Sequence, residues 1–74
     1  MFMVSTYKAT FEELVSYINQ KLEKSNGLMV RQEEKYSNIE PGAIEKLEKY
    51  YRAKGYDFDW EEENNLFVAI ITPP

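Results

Sequence analysis

The sequence predicts a single α+β domain in which two helices pack on one face of a small mixed β-sheet. Two segments have apolar residues at the 3.6-residue period of an α-helix and have recognisable helix-terminating residues. The C-terminal segment has the strand-turn-strand pattern of a β-hairpin. A length of 74 residues has room for one hydrophobic core. The predicted order is β-α-β-α-β-β over residues 1–74, with a C-terminal hairpin.

The first strand and helix are predicted from alternation and capping. Residues 2–8 alternate loosely and suit a strand. Thr10 and Glu13 have the spacing of a capping box, so a helix is expected from Phe11 to about Lys24. It should end at Asn26-Gly27, where glycine accepts a left-handed conformation. Its buried stripe would comprise Phe11, Leu14, Ile18 and Leu22.

The middle of the chain has weaker signals. Residues 28–31 are short, apolar and partly β-branched, which indicates a strand that continues into Gln32 and Glu33. Residues 33–38 are polar and are predicted to form a loop.

The second helix is predicted over residues 41–54. Pro41 suits the first helical position, and Ile39 and Ile44 have the spacing of a hydrophobic staple. Gly55 should stop the helix in a Schellman ending. The buried stripe would comprise Ile44, Leu47 and Tyr51, and Tyr56 would pack back on Tyr51.

The hairpin is predicted from an alternating segment followed by an apolar one. Aromatic residues at 56, 58 and 60 alternate with acids, which indicates a strand with one wet face. Trp60 would then be a core anchor, with an interfacial role as the alternative. Asn64-Asn65 suits a tight turn. Residues 66–71 are all apolar, so this strand is expected to be covered on both faces.

Two turn lengths lead to different pairings. A two-residue turn would set Leu66, Val68 and Ile70 beside the acids, whereas a bulged three-residue turn would set Phe67, Ala69 and Ile71 there. Under either register an apolar row lies on the face away from the aromatic side chains and needs a cover. A strand bearing Met3 or Met29, a second subunit or a binding partner would supply one.

Composition argues against several classes of function. The chain has no Cys and no His, so disulfides, Cys/His zinc sites and a histidine base are excluded. No nucleophile elbow or phosphate-binding glycine loop is present, so the chain is predicted not to be an enzyme and to need no cofactor. Without a signal peptide or a membrane-length apolar run, we expect a cytoplasmic protein. A small core without disulfides favours a homodimer.

The sequence is a poor fit to two further kinds of site, a paired-carboxylate site and a nucleic-acid-binding site. Asp57 and Asp59 would lie about 6.6 Å apart on one strand face, a spacing open to glycosidase chemistry or cation binding, but a flat edge offers no cleft and few ligands. Direct nucleic-acid binding would need a basic stripe. In the second helix, the Lys and Arg side chains are instead interleaved with Glu45 and Glu48, which are placed to pair with Lys49 and Arg52.

The hairpin contains a run of acidic residues whose negative charge is not balanced by nearby Lys or Arg. Residues 1–55 hold nine Lys/Arg and eight Asp/Glu, whereas residues 56–74 hold five acids and no base. Acids on an edge strand can simply discourage aggregation. They can also bind a basic partner, because their repeat of about 6.6 Å approaches the spacing of phosphates along a nucleic-acid strand. The predicted binding residues are Asp57, Asp59, Glu61, Glu62 and Glu63.

In size, charge layout and the segment Asp57–Glu63, the chain resembles small phage-encoded host-takeover proteins, some of which mimic DNA. The resemblance implies an inhibitor or modulator that binds a basic, nucleic-acid-handling host protein, without binding nucleic acid or a membrane itself. The alternative is a structural or regulatory homodimer whose acidic edge only maintains solubility.

Overall fold

A computed structural model of the chain describes residues 9–74. The α+β class and the C-terminal hairpin are confirmed, while the strand predicted at residues 2–8 lies outside the described residues. The elements are α1 (Phe11–Lys24), β1 (Val30–Lys35), a short 3-10 helix (Tyr36–Asn38), α2 (Ala43–Ala53), β2 (Asp57–Glu63) and β3 (Leu66–Thr72).

The sheet of the described residues is antiparallel, so the prediction of a mixed sheet is wrong. Its order is β1-β3-β2, and β3 pairs antiparallel with both neighbours. The two outer strands therefore run parallel to each other, as a crossover through α2 requires, but β3 lies between them. The last strand fills the gap in a split β-α-β unit, so no two parallel strands are adjacent.

The start of α1 follows the predicted local chemistry. The Glu13 amide donates to the Thr10 hydroxyl at 3.2 Å, and the Thr10 amide donates to the Glu13 carboxylate at 3.0 Å. This capping box satisfies two amides that the helix leaves unpaired. Leu14 and Ile18 of the predicted stripe are fully buried, whereas Phe11 and Leu22 are half-buried against the core.

The start of α2 differs from the prediction, because the helix begins at Ala43 and not at Pro41. Residues 40–43 form a type II turn, in which the Ala43 amide donates to the Glu40 carbonyl at 3.1 Å and Gly42 has φ 85°. Proline and glycine suit the two central positions of that turn. The staple residues Ile39 and Ile44 are nevertheless both buried.

The end of α2 is the predicted Schellman motif. The Tyr56 amide donates to the Tyr51 carbonyl and the Gly55 amide to the Arg52 carbonyl, each at 3.0 Å. Gly55 has φ 89°, and the Tyr51 and Tyr56 rings meet edge to face at 5.6 Å. These bonds turn the chain directly from α2 into β2.

The first described strand begins and ends later than predicted. Leu28 and Met29 are 70% and 63% exposed, and the strand begins at Val30. It continues through Lys35, where a polar loop was expected. The reason is its place at the sheet edge: only Val30 and Gln32 are buried, so few apolar residues mark it.

The core lies between the helices and one face of the sheet. Tyr51 is at its centre, 1% exposed, with its ring stacked 6.0 Å from Phe58. The Tyr51 hydroxyl donates to the Asn19 side-chain oxygen at 2.8 Å, which satisfies the polar end of the ring. Burial, with a smaller contribution from Tyr50 and Tyr56, raises the pKa of Tyr51 well above its ordinary value.

Replacing Gly55 should show how much the Schellman ending contributes. A Cβ at this position would meet Pro74 only at 3.8 Å, so the penalty is conformational and not steric. We expect Gly55→Ala to lower the free energy of unfolding by about 1 kcal/mol, and Gly55→Asn to lower it less, because asparagine tolerates positive φ. Urea denaturation checks this. Equal losses for the two variants would contradict the conformational explanation.

The buried Tyr51 hydroxyl should make stability fall at alkaline pH. Its pKa is raised in the folded state, so its contribution is complete below the unfolded pKa of about 10 and is lost as pH rises beyond it. Tyr51→Phe should lower stability by about 1 kcal/mol near pH 7, and this difference should shrink above about pH 10. Urea denaturation across that range measures it. Tyr17→Phe, at a 40% exposed position, is the control and should show neither effect.

Candidate protein-binding face

The turn of the hairpin selects the two-residue register. Asn64 and Asn65 have φ values of 53° and 64°, as a type I′ turn requires at both central positions. Glu63 therefore pairs with Leu66, and the pairing continues without a bulge along both strands. The sequence allows two strand registers, and the observed one places Leu66, Val68 and Ile70 beside the acids.

This register gives the sheet two different faces. On the helix face, Phe67, Ala69 and Ile71 of β3 are fully buried. On the other side, which we call the open face, the alternate residues of β3 are only half-buried, so the prediction of cover on both faces is wrong for the described part of the chain. The half-buried side chains form an apolar row of Leu66, Val68 and Ile70.

Four of the five predicted binding acids lie together on the open face. They alternate along β2 and form one acidic row, with successive carboxylates about 6.6 Å apart along the strand. The members of the acidic row are Asp57, Asp59, Glu61 and Glu63. Glu62 points to the helix face, and its carboxylate accepts a hydrogen bond from the Asn65 amide at 3.0 Å. Glu62 therefore supports the turn and does not extend the row.

The far side of the open face carries charges of both signs. Arg31, Glu33 and Lys35 of β1 share this face, because they pair with Ile70, Val68 and Leu66. Arg31 Nε donates to Glu33 Oε2 at 2.6 Å. Sequence reasoning missed these residues, assigning part of the strand to a loop; the available signal was their alternation with Val30 and Gln32.

A shallow depression of about 260 Å³ runs between the acidic and apolar rows. Its walls combine carboxylates of β2 with aliphatic side chains of β3, and Arg31 closes it at the β1 side. No described cation lies within salt-bridge distance of the acidic row. The acidic row is therefore a solvated set of negative charges beside the apolar row.

Trp60 lies on the helix face, but it is not a buried anchor. It shares that face with Phe58, as expected, yet it is 36% exposed whereas Phe58 is 1% exposed. Its ring packs against Phe67 at 5.7 Å and against the exposed Tyr36 at 6.4 Å. The α2 helix covers the Phe58 end of β2, where Tyr51 stacks on Phe58 and Arg52 donates to the Phe58 carbonyl, so Trp60 stands at the margin of the core.

Among residues 9–74 no group of acidic side chains is arranged to hold a metal ion, and no helix is long and apolar enough to cross a membrane. The chain matches no protein-family model, and neither a curated protein nor a solved structure is similar enough to count as a relative.

Neutralising the middle of the acidic row should stabilise the protein at low ionic strength. The double change Asp59→Asn and Glu61→Gln relieves repulsion along β2, so we expect the free energy of unfolding to rise by about 0.3–0.5 kcal/mol. In about 1 M NaCl the gain should vanish, because screening shortens the range of the repulsion to about 3 Å.

The matched control is Glu45→Gln with Glu48→Gln on α2, which removes the Glu48–Arg52 ion pair at 2.9 Å and should bring no gain. Urea denaturation at two salt concentrations compares the proteins. A double β2 variant that is less stable than wild type at low salt would mean that the acids stabilise the fold.

Proposed function

We propose that this chain is a non-enzymatic binding protein that inhibits or modulates a basic, nucleic-acid-binding protein by presenting a DNA-like row of carboxylates. The proposed target is a cytoplasmic protein whose nucleic-acid site the open face would occupy. Neither a cofactor nor direct contact with nucleic acid is part of this proposal.

The observation that carries the proposal is the acidic row. Four carboxylates stand on one exposed strand, and no described cation pairs with them. Repulsion between them opposes folding, so the arrangement has a stability penalty that a purely structural strand would avoid. Contact with a basic surface would remove that penalty and would also speed association by electrostatic steering.

The spacing of the row supports DNA mimicry in particular. Carboxylates on alternate residues repeat at about 6.6 Å, near the separation of phosphates along a nucleic-acid strand. A row of lysines or arginines arranged for phosphates could therefore contact successive members of the row. Glu62, on the helix face, would not take part.

A second candidate is a homodimer, favoured by the charges of β1. A two-fold axis parallel to β3 would stack the two apolar rows and place each β2 over the β1 of the other subunit. Asp59 would then face Arg31, and Glu63 would face Lys35, at matching heights along the strands. Against it, each open face carries five acids and two bases, so two copies repel overall.

The proposal is tested on a partner captured by affinity pull-down from the native host and identified by mass spectrometry. Its affinity is then measured at about 0.05 M and about 0.3 M salt, for wild type and for the Asp59→Asn, Glu61→Gln variant. We expect steep weakening with salt, and about tenfold weaker binding by the variant at low salt, since exposed pairs contribute up to about 1 kcal/mol each.

The α2 variant Glu45→Gln, Glu48→Gln again serves as the control and should bind as wild type does. Affinity that depends neither on salt nor on the β2 acids would show that the acidic row is only a solvated edge, and would contradict the proposed function. Sedimentation equilibrium distinguishes the homodimer from the proposed inhibitor. A species of twice 8.8 kDa that is lost when Arg31 is replaced would favour the homodimer.

A further inference from the structure

The open face joins two features that a purely electrostatic surface does not need to combine. The acidic row is one, and the apolar row directly beside it on β3 is the other. From their geometry we infer that the partner places an amphipathic, basic α-helix along β3, with its apolar side on the apolar row and its cations over the acidic row. This inference rests on the proposed function and specifies the shape of the partner.

The width of the open face suits a helix. The β1 and β2 side chains stand on either side of β3, and two strand spacings of about 4.8 Å separate them by about 9.6 Å. A helix with its side chains is about 10 Å across. A helix over β3 would therefore touch the apolar row with one side and reach the charges of β2 with its flank. An extended segment pairing with the β2 edge would lie in the plane of the sheet and leave the apolar row uncovered.

The lengthwise repeats also match. Val68 follows Leu66, and Ile70 follows Val68, at intervals of about 6.6 Å along β3. Positions i, i+4 and i+8 of a helix are about 6 Å apart along its axis. Three apolar residues of a helix can therefore contact the three members of the apolar row. Cationic residues on the adjacent flank of the helix would have the same spacing and would face successive acids of β2.

Charge selects the occupant of this face. The open face holds five acids against two bases, and one of the bases, Arg31, is paired with Glu33 at 2.6 Å. A second copy of the chain would bring the same negative excess against it. Met29, which the sequence offered as a cover, precedes β1 and is 63% exposed. A helix with cations on the flank over β2 meets both requirements of the surface.

The test uses a defined peptide and the full chain. The probe is a synthetic helix of about 18 residues, with leucine at i, i+4 and i+8 and lysines along one flank. The matched control has the same composition and charge in scrambled order. Methyl NMR spectra report contacts at Leu66, Val68 and Ile70, and circular dichroism reports helix formation in the peptide.

We expect the amphipathic peptide to become helical on binding and to shift the methyl signals of the apolar row, while the scrambled peptide binds about tenfold more weakly. Val68→Thr keeps the strand-forming shape, but it should weaken the amphipathic peptide about fivefold through lost apolar contact and leave the scrambled peptide unaffected. Leu28→Thr, at an exposed position outside the sheet, is the matched control and should bind as wild type does.

The remaining outcomes overturn the inference in different ways. Equal binding of both peptides, with shifts only beside the carboxylates, would leave the electrostatic function intact and exclude the helix. Failure of both peptides to bind at low salt would count against the function as well. Methyl shifts that depend on the concentration of the protein alone would identify a second copy as the occupant. Contacts from residues 1–8 to the row in the free protein would identify the chain itself.

Discussion

The hairpin turn determines which side of β3 meets the helices, and the rest of the structure depends on that choice. Side chains alternate along a strand, so one additional residue in the turn would exchange the two rows of β3 between the faces. The positive φ values at Asn64 and Asn65 exclude that exchange. Phe67 and Ile71 therefore enter the core, and the aliphatic side chains between them are left beside the acids.

A second set of contacts supports the turn. The Asn65 carbonyl accepts a hydrogen bond from the Tyr36 amide at 2.7 Å, and its side-chain amide donates to the Ser37 hydroxyl at 3.1 Å. The 3-10 helix that follows β1 is thus tied to the turn of the hairpin. The same few hydrogen bonds therefore fix both the face of the hairpin that packs in the core and the face that carries the acidic row.

Much of this fold could be predicted because its signals are local. The capping box of Thr10 and the Schellman ending at Gly55 each involve residues within five positions of one another. The predictions fail where tertiary context decides. Pro41 suits a helix start, but Pro41-Gly42 equally suits the centre of a type II turn, which is the structure it forms. Residues 33–35 are polar because the strand is at an edge, and polarity alone indicated a loop.

The candidate site shows the same division. Alternation along β2 was enough to place four acids on one face, because strand periodicity needs no knowledge of the partner strands. Alternation does not show how far along β2 the α2 helix reaches. It therefore predicts Trp60 in the core, whereas Trp60 lies at the core's margin. The charges of β1 that share the open face depend on pairing across more than thirty residues, which no local pattern reports.

The central position of β3 has a consequence for synthesis on the ribosome. All other described elements precede β3 in the chain, yet both neighbouring strands pair only with it in the described sheet. Until β3 emerges, the nascent chain has two strands without their sheet partner, the condition in which β-rich chains associate with one another. The carboxylates of β2 are already present at that stage. Charged side chains on an edge strand discourage association with other chains, so we expect the acidic row to oppose aggregation before β3 pairs with β2.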